Sequence, residues 1–218
     1  MLHKFIRINT ILIPQDDIQD QLVKLAKKIT RGKKELFRID NKNFFAHITL
    51  YSPEYPTCNL EKVTSKVKEI SENKSKIVLE FDDFYTGWGF VGLGFKKNAW
   101  VDNLQKVILK ELNPLREERI REKYDSEIIE GKYSKEEVNY IMKYGYNNVL
   151  NSFHPHLTLA RFGSEDVAQG VKNNIKKNIL PSKIAFPYLA ISEMRPNGTC
   201  TKVLKKFKLY KFHTRRVI

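Results

Sequence analysis

The chain has 218 residues, 41% hydrophobic and 29% charged; Lys and Arg number 39 against 25 for Asp and Glu, a formal net charge of +14. This composition excludes wholesale disorder and collagen-like repetition, and no apolar stretch reaches the roughly 18 residues of a membrane span. The charge favours a polyanionic partner such as RNA or a nucleotide, and from Lys202 to Ile218 there is no acid at all. The N-terminus carries Arg7 and Asn9 inside its apolar run and has no small-residue cleavage site, so no signal peptide is read there. Two cysteines, Cys58 and Cys200, make no disulfide framework, and a cytoplasmic protein with free thiols is expected.

In chain order, residues 4–13 read as an Ile-rich strand ended by Pro14. Ile18, Leu22, Leu25 and Ile29 mark a helix over 15–30. Residues 44–51 alternate as a half-buried strand, stopped by Ser52-Pro53. A helix follows from about Leu60 to Glu72, then strands at 76–86 and 89–95 around Thr86-Gly87, then a helix at 99–112. Residues 114–150 are densely charged with both signs and read as two short helices or a mobile insertion. Strand character returns at 155–161, a helix spans roughly 164–177, and strands at 183–193 and 200–210 flank the turn Pro196-Asn197-Gly198. Mixed strands and helices without a steady βαβ rhythm predict an α+β fold. Glycines 87, 89, 92 and 94 sit among aromatics within strands and read as bulges or close packing, not as a phosphate cradle.

The chemistry lies in two matching tetrapeptides, His47-Ile48-Thr49-Leu50 and His156-Leu157-Thr158-Leu159. Side chains alternate faces along a strand, so His47 and Thr49 share one face, as do His156 and Thr158, with the aliphatic residues behind them. Two such strands side by side bring two imidazoles and two hydroxyls into one cleft. That set suffices for phosphodiester cleavage. One neutral His takes a proton, the other gives one to the leaving oxygen, and the threonines donate to the phosphate oxygens. Tyr51 continues the His47–Thr49 face and could stack on a base, or take a rim or packing role. Arg161 could reach a phosphate, although strict alternation sets it on the opposite face from His156. Tyr85, Trp88 and Phe90 could provide base stacking beside the cleft, with core packing favoured. His154, His156 and His47 could bind a metal, but no acidic ligand cluster accompanies them, so no metal site and no cofactor is expected. Neither cysteine has a catalytic partner pattern.

The motifs HITL at 47–50 and FHPHLTLAR at 153–161 resemble those of the two-histidine (2H) phosphoesterase superfamily, which includes 2′-5′ RNA ligase-like proteins and 2′,3′-cyclic phosphodiesterases. The N-terminal strand-Pro-helix and the closing residues 196–209 give softer support. The resemblance implies a two-lobed α+β domain over 1–218, each lobe an antiparallel sheet with flanking helices around a central cleft. The segment at about 114–150 is an insertion in it. It further implies metal-independent catalysis by His47 and His156, with Thr49 and Thr158 on the phosphate. The leading expectation is a monomeric enzyme that hydrolyses 2′,3′-cyclic phosphate or 2′-5′ bonds in RNA, with reverse ligation open. A phosphodiesterase of small signalling nucleotides, such as a cyclic dinucleotide or a 2′-5′-oligoadenylate, shares that chemistry. A non-catalytic RNA-binding module would explain the charge but gives no reason for two His-x-Thr strands. A membrane-surface role for the basic tail is disfavoured, since 200–210 alternate like a strand.

Overall fold

Apolar and β-branched residues fill Phe5–Ile13, which forms β1, and Pro14 ends it by removing the next backbone donor. The computed structural model describes residues 4–176, 179–194 and 199–210. In α1, Asp16–Ile29, Ile18, Leu22 and Leu25 turn inward at helical spacing, with Asp16 and Asp17 at the positive end and Lys27 and Lys28 at the negative end. The remaining strands are β2 (Glu35–Arg38), β3 (Ile48–Tyr51), β4 (Glu54–Pro56), β5 (Ile77–Gly87), β6 (Phe90–Phe95), β7 (His156–Phe162), β8 (Lys183–Phe186), β9 (Tyr188–Met194) and β10 (Cys200–Lys208). The remaining helices are α2 (Leu60–Glu72), α3 (Ala99–Leu112), α4 (Lys123–Ile129), α5 (Lys135–Tyr144) and α6 (Glu165–Asn173).

The expected two-lobed α+β architecture is present. Strands run in the order β10-β9-β1-β3-β7-β6-β5-β8, with β4 added to β1 and β2 added to β7. The path divides at its middle. β10, β9, β1 and β3 form one half, backed by α2 and α3; β7, β6, β5 and β8 form the other, backed by α1 and α6. The sheets of the two lobes are continuous, joined where Ile48 of β3 pairs antiparallel with Leu157 of β7. Ile48, Leu50, Leu157 and Leu159 belong to one buried cluster with Leu12, Leu22, Leu93 and Leu104, so the apolar side of both motif strands is sealed.

Several elements differ from the sequence expectation. The short strands β2 and β4 were not anticipated. β3 begins only at Ile48, because Asp40 Oδ1 accepts from the backbone N–H groups of Lys42, Asn43 and Phe44 and curls the preceding chain into a turn. The single strand expected at 183–193 is two strands broken at Pro187. β8 pairs with β5 in one half, and β9 pairs with β1 in the other. The predicted turn at 196–198 lies outside the described residues. Segment 114–150 takes the helical alternative. α5 opens with a Ser134–Glu137 capping box and closes on Gly145 in the left-handed region. Buried Arg116 ties the segment together, donating to the carbonyls of Arg119, Met142 and Lys143. No described helix is long and apolar enough to cross a membrane.

Each motif strand carries an irregularity at the Leu after its Thr. On β1, Ile11 faces Thr49 and the next residue back, Thr10, faces Tyr51, so Leu50 is unmatched. On β6, Gly92 faces Thr158 and Val91 faces Ala160, so Leu159 is unmatched. Both carbonyls so released are satisfied from outside the ladder. Leu50 O accepts from Gln105 Nε2 and Leu159 O from the backbone N–H of Ile39, each at 2.9 Å. Gln105 is buried, and its Oε1 also accepts from Leu150 N at 2.8 Å. Gln105→Leu strands these groups and is expected to cost about 2–4 kcal/mol in urea unfolding; a loss below about 0.5 kcal/mol would show that the bulge does not need this support.

Candidate active site

The Ile48–Leu157 pair fixes the arrangement of the opposite face. One step to either side, antiparallel geometry sets His47 against Thr158 and Thr49 against His156. The four residues predicted from the two motifs thus meet at the junction of the lobes. The histidines are held alike. Nδ1 of His47 lies 2.8 Å from the carbonyl of Phe45, and Nδ1 of His156 lies 2.8 Å from that of His154. A carbonyl only accepts, so each Nδ1 carries the proton; Nε2 of His47 then meets Cys200 Sγ at 3.4 Å.

Their environments differ. Burial alone would depress His47, but the neighbouring Cys200 sulfur, 3.4 Å from Nε2, and the Phe45 carbonyl outweigh it and raise its pKa above the ordinary imidazole value. Cys200 moves down in turn. Its own burial opposes this, and the His47 charge together with hydrogen bonds from His47, Ser192 and Asn9 overcomes it. His156 is lowered, by burial first, against the support of the His154 carbonyl and with further depression from His47 and His154. Two imidazoles of one site are therefore pushed apart, one toward the charged form and one toward the neutral form.

The two bulges re-aim the residues beyond each motif. Tyr51 faces Thr10, which points away from the Ile11–Thr49 side, so Tyr51 leaves the cleft. It is fully buried, its hydroxyl donating to Asn113 Oδ1 at 3.0 Å and to the Tyr144 carbonyl at 2.6 Å. The expectation that Tyr51 stacks on a base is corrected accordingly: its ring is packing, near Tyr146. Arg161 moves the other way. It faces Phe90, and Phe90 shares a side of β6 with Gly92, which faces Thr158. The bulge thus returns Arg161 to the His156–Thr158 face, where its guanidinium lies 4.6 Å over the Phe90 ring.

Tyr85 contributes more than the packing expected of it. Its hydroxyl is 2.8 Å from Thr158 Oγ1, and its ring meets the His156 ring edge-on at 5.2 Å. It lies across Gly92, where a Cβ would fall 2.3 Å from Leu157 O and 2.5 Å from the Tyr85 ring, so that position has room for glycine only. Burial pushes the Tyr85 phenol up, keeping it a donor. Trp88 sits exposed at the β5–β6 turn. Among the described residues no three His, Cys, Asp or Glu side chains are arranged to hold a metal ion.

Sequence reasoning missed a second polar line on this face. Asn9 Nδ2 donates to Cys200 Sγ at 3.2 Å, Ser52 hydrogen-bonds Asn9, and Arg7 Nε donates to Ser52 Oγ at 3.0 Å. Arg7 and Asn9 were legible as the polar alternates of β1; nothing in the sequence marked Cys200. NMR titration of the imidazoles checks the electrostatics without any substrate. His47 should titrate above about 6.5 and His156 below it. Cys200→Ala should move the His47 midpoint down, and an unmoved midpoint would remove the sulfur as its cause.

The chain matches the family described as "Protein of unknown function (DUF1045)" over residues 55–193, a stretch that includes the second motif and not the first. No curated protein matches its sequence. Among solved structures it is similar to apo LigT of Escherichia coli, at 15% identity and a TM-score of 0.57 over 95% of this chain and 99% of that one. It is similar to TT0787 of Thermus thermophilus at 16% and 0.55, over 95% and 100%. A further structure, described as a phosphoesterase, matches at 14% and 0.53 over 95% and 100%. The fold implied by the resemblance to the two-histidine phosphoesterases is the fold observed.

Proposed function

The chain belongs to the DUF1045 family, whose description fixes no chemistry, and we propose from the site itself that it is a two-histidine phosphodiesterase acting on RNA ends or nucleotides. The observation that carries this is the meeting of His47–Thr49 and His156–Thr158 across β3 and β7, with both Nδ1 atoms committed to backbone carbonyls. The fold is shared with E. coli LigT, which has been crystallised with 3′-AMP, ATP and NADP+. This supports a nucleotide as the substrate class.

The reaction we infer is hydrolysis of a 2′,3′-cyclic phosphate or a 2′-5′ bond. His156, kept neutral, takes a proton from water as the water oxygen bonds to phosphorus. His47, kept charged, gives its Nε2 proton to the ribose oxygen as the phosphorus–oxygen bond breaks. A phosphate monoester and a free ribose hydroxyl result. The protonated Tyr85 hydroxyl can donate to Thr158 Oγ1, which then turns the Thr158 proton to a non-bridging phosphate oxygen, with Thr49 as the matching donor from the other lobe. Arg161, on the same face, balances the charge gathering on those oxygens.

Cleavage of a nucleoside 2′,3′-cyclic phosphate and of 2′-5′-linked adenylates, assayed with EDTA present, tests this. His47→Ala and His156→Ala should each lower kcat by about 10²–10⁴-fold. The wild-type pH profile should be a bell. Its acid limb, from protonation of His156, falls below about 6.5, and its basic limb, from deprotonation of His47, lies above that value. Activity that survives both substitutions, or that needs added divalent metal, would overturn the reading.

A further inference from the structure

We propose that a pocket beside His47 binds the base of the nucleoside whose ribose oxygen leaves, and that it prefers a base carrying an exocyclic amine. The clause about the leaving nucleoside rests on the phosphodiesterase reading above; the base preference does not.

The strand order places this pocket. β10, β9, β1, β3 and β7 lie side by side, so β1 and β10 are on the side of His47 away from His156. Ile11 of β1 faces Thr49, and Ile13, two residues on, shares its side. Ile11 also faces Ala190 of β9, which faces Lys206 of β10, and Ile13 faces Tyr188. Directly paired residues point to the same side of a sheet. The cleft face therefore continues from Thr49 over Ile11 and Ile13 to β10, where it meets a pocket of about 590 Å³, a size usual for small-ligand sites.

The lining suits a base. Ile13 and Val203, packed in one apolar cluster, form the floor, and half-buried Phe45 adds an aromatic ring. Phe45 also ties the pocket to the chemistry. Its carbonyl holds His47 Nδ1 at 2.8 Å. Its N–H donates at 3.3 Å to the carbonyl of Cys200, whose sulfur meets His47 Nε2. A group that takes its proton from His47 has this pocket next to it.

The polar lining is unfinished. Gln19 is only 8% exposed, and its Nε2 donates to the Ala46 carbonyl at 3.5 Å. Asn41 Nδ2 donates to Asp20 Oδ1 at 3.3 Å. These bonds fix which way each amide is turned and leave Gln19 Oε1 and Asn41 Oδ1 without a partner among the described residues. Both oxygens only accept, and Asp16 and Asp20 add further acceptors to the same lining. An amine supplies the missing donor; a carbonyl at the same ring position presents a second acceptor and is repelled. Lys42, Lys202 and Lys206 also line the pocket but are exposed, so they contribute charge and little choice between bases.

Calorimetry with adenosine and inosine 3′-monophosphates, and with the cytidine and uridine pair, tests the preference, because each pair exchanges an amine for an oxygen. Wild type should bind the amine member of each pair about tenfold tighter. Gln19→Met and Asn41→Gly should each bring these ratios toward one. Asn41 has φ 60°, which glycine adopts freely, so Asn41→Gly keeps the test open if Gln19→Met fails to fold. Val203→Trp, which fills the pocket, should lower the affinity for adenosine 3′-monophosphate relative to inorganic phosphate about tenfold. Wild-type ratios near one, or ratios that survive both amide variants, overturn the base preference. Cleavage of 2′-5′ dinucleotides with inosine on one side only tests the placement. kcat/KM should fall about tenfold when inosine is on the released ribose, and a fall on the nucleoside that keeps the phosphate overturns it. A preserved base preference in a protein that cleaves none of the phosphodiesters would instead remove the phosphodiesterase reading and leave the pocket standing.

Discussion

The arrangement depends on one cross-strand pair, Ile48 against Leu157. Both side chains are fully buried in a core that spans the lobes. Because strand side chains alternate, sending these two inward obliges His47, Thr49, His156 and Thr158 to face the other way. Because the pairing is antiparallel, it also crosses the motifs, with each imidazole beside the hydroxyl of the other lobe. A slip of one residue on either strand would bury that strand's His and Thr and expose its aliphatics, so the hydrophobic term that holds the lobes together also fixes the site's geometry.

That constraint reaches only as far as the Thr of each motif. Beyond it the bulges take over. Each inserts one unmatched Leu and reverses the phase of the residues after it, and each is stabilised by a donor from another element, Gln105 or Ile39. The reversal carries Tyr51 into the packing beneath α5 and brings Ser52 and Arg161 onto the cleft. The polar groups that frame the site are thus set by local departures from strand geometry, and the two His-x-Thr sets by strand geometry itself.

This division explains what could be read from the sequence. Periodicity gave α2 and α3 to the residue and gave the shared face of each His-x-Thr, because those follow from regular alternation. Tyr51 and Arg161 were assigned to the wrong faces because the same alternation was extended through two Leu residues that look like any other strand position. The strand at 183–193 was read as one because its apolar pattern runs on through Pro187. The missing proline N–H and the change of partner from β5 to β1 are visible only once the neighbours are known. β2 and β4, with four and three residues, are too short to leave a periodic trace. Cys200 reaches His47 across 153 positions of chain, and no local pattern encodes such a contact.

The two halves are alike in backbone and unlike in chemistry. His47 is nearly buried and faced by a sulfur, while His156 is half-exposed beside a tyrosine. The second half supplies its own arginine at the position after the bulge. The first holds Ser52 there, whose Oγ accepts from Arg7 of β1. The asymmetry pushes His47 toward the charged form and His156 toward the neutral form, the division of states that the proposed acid and base roles call for.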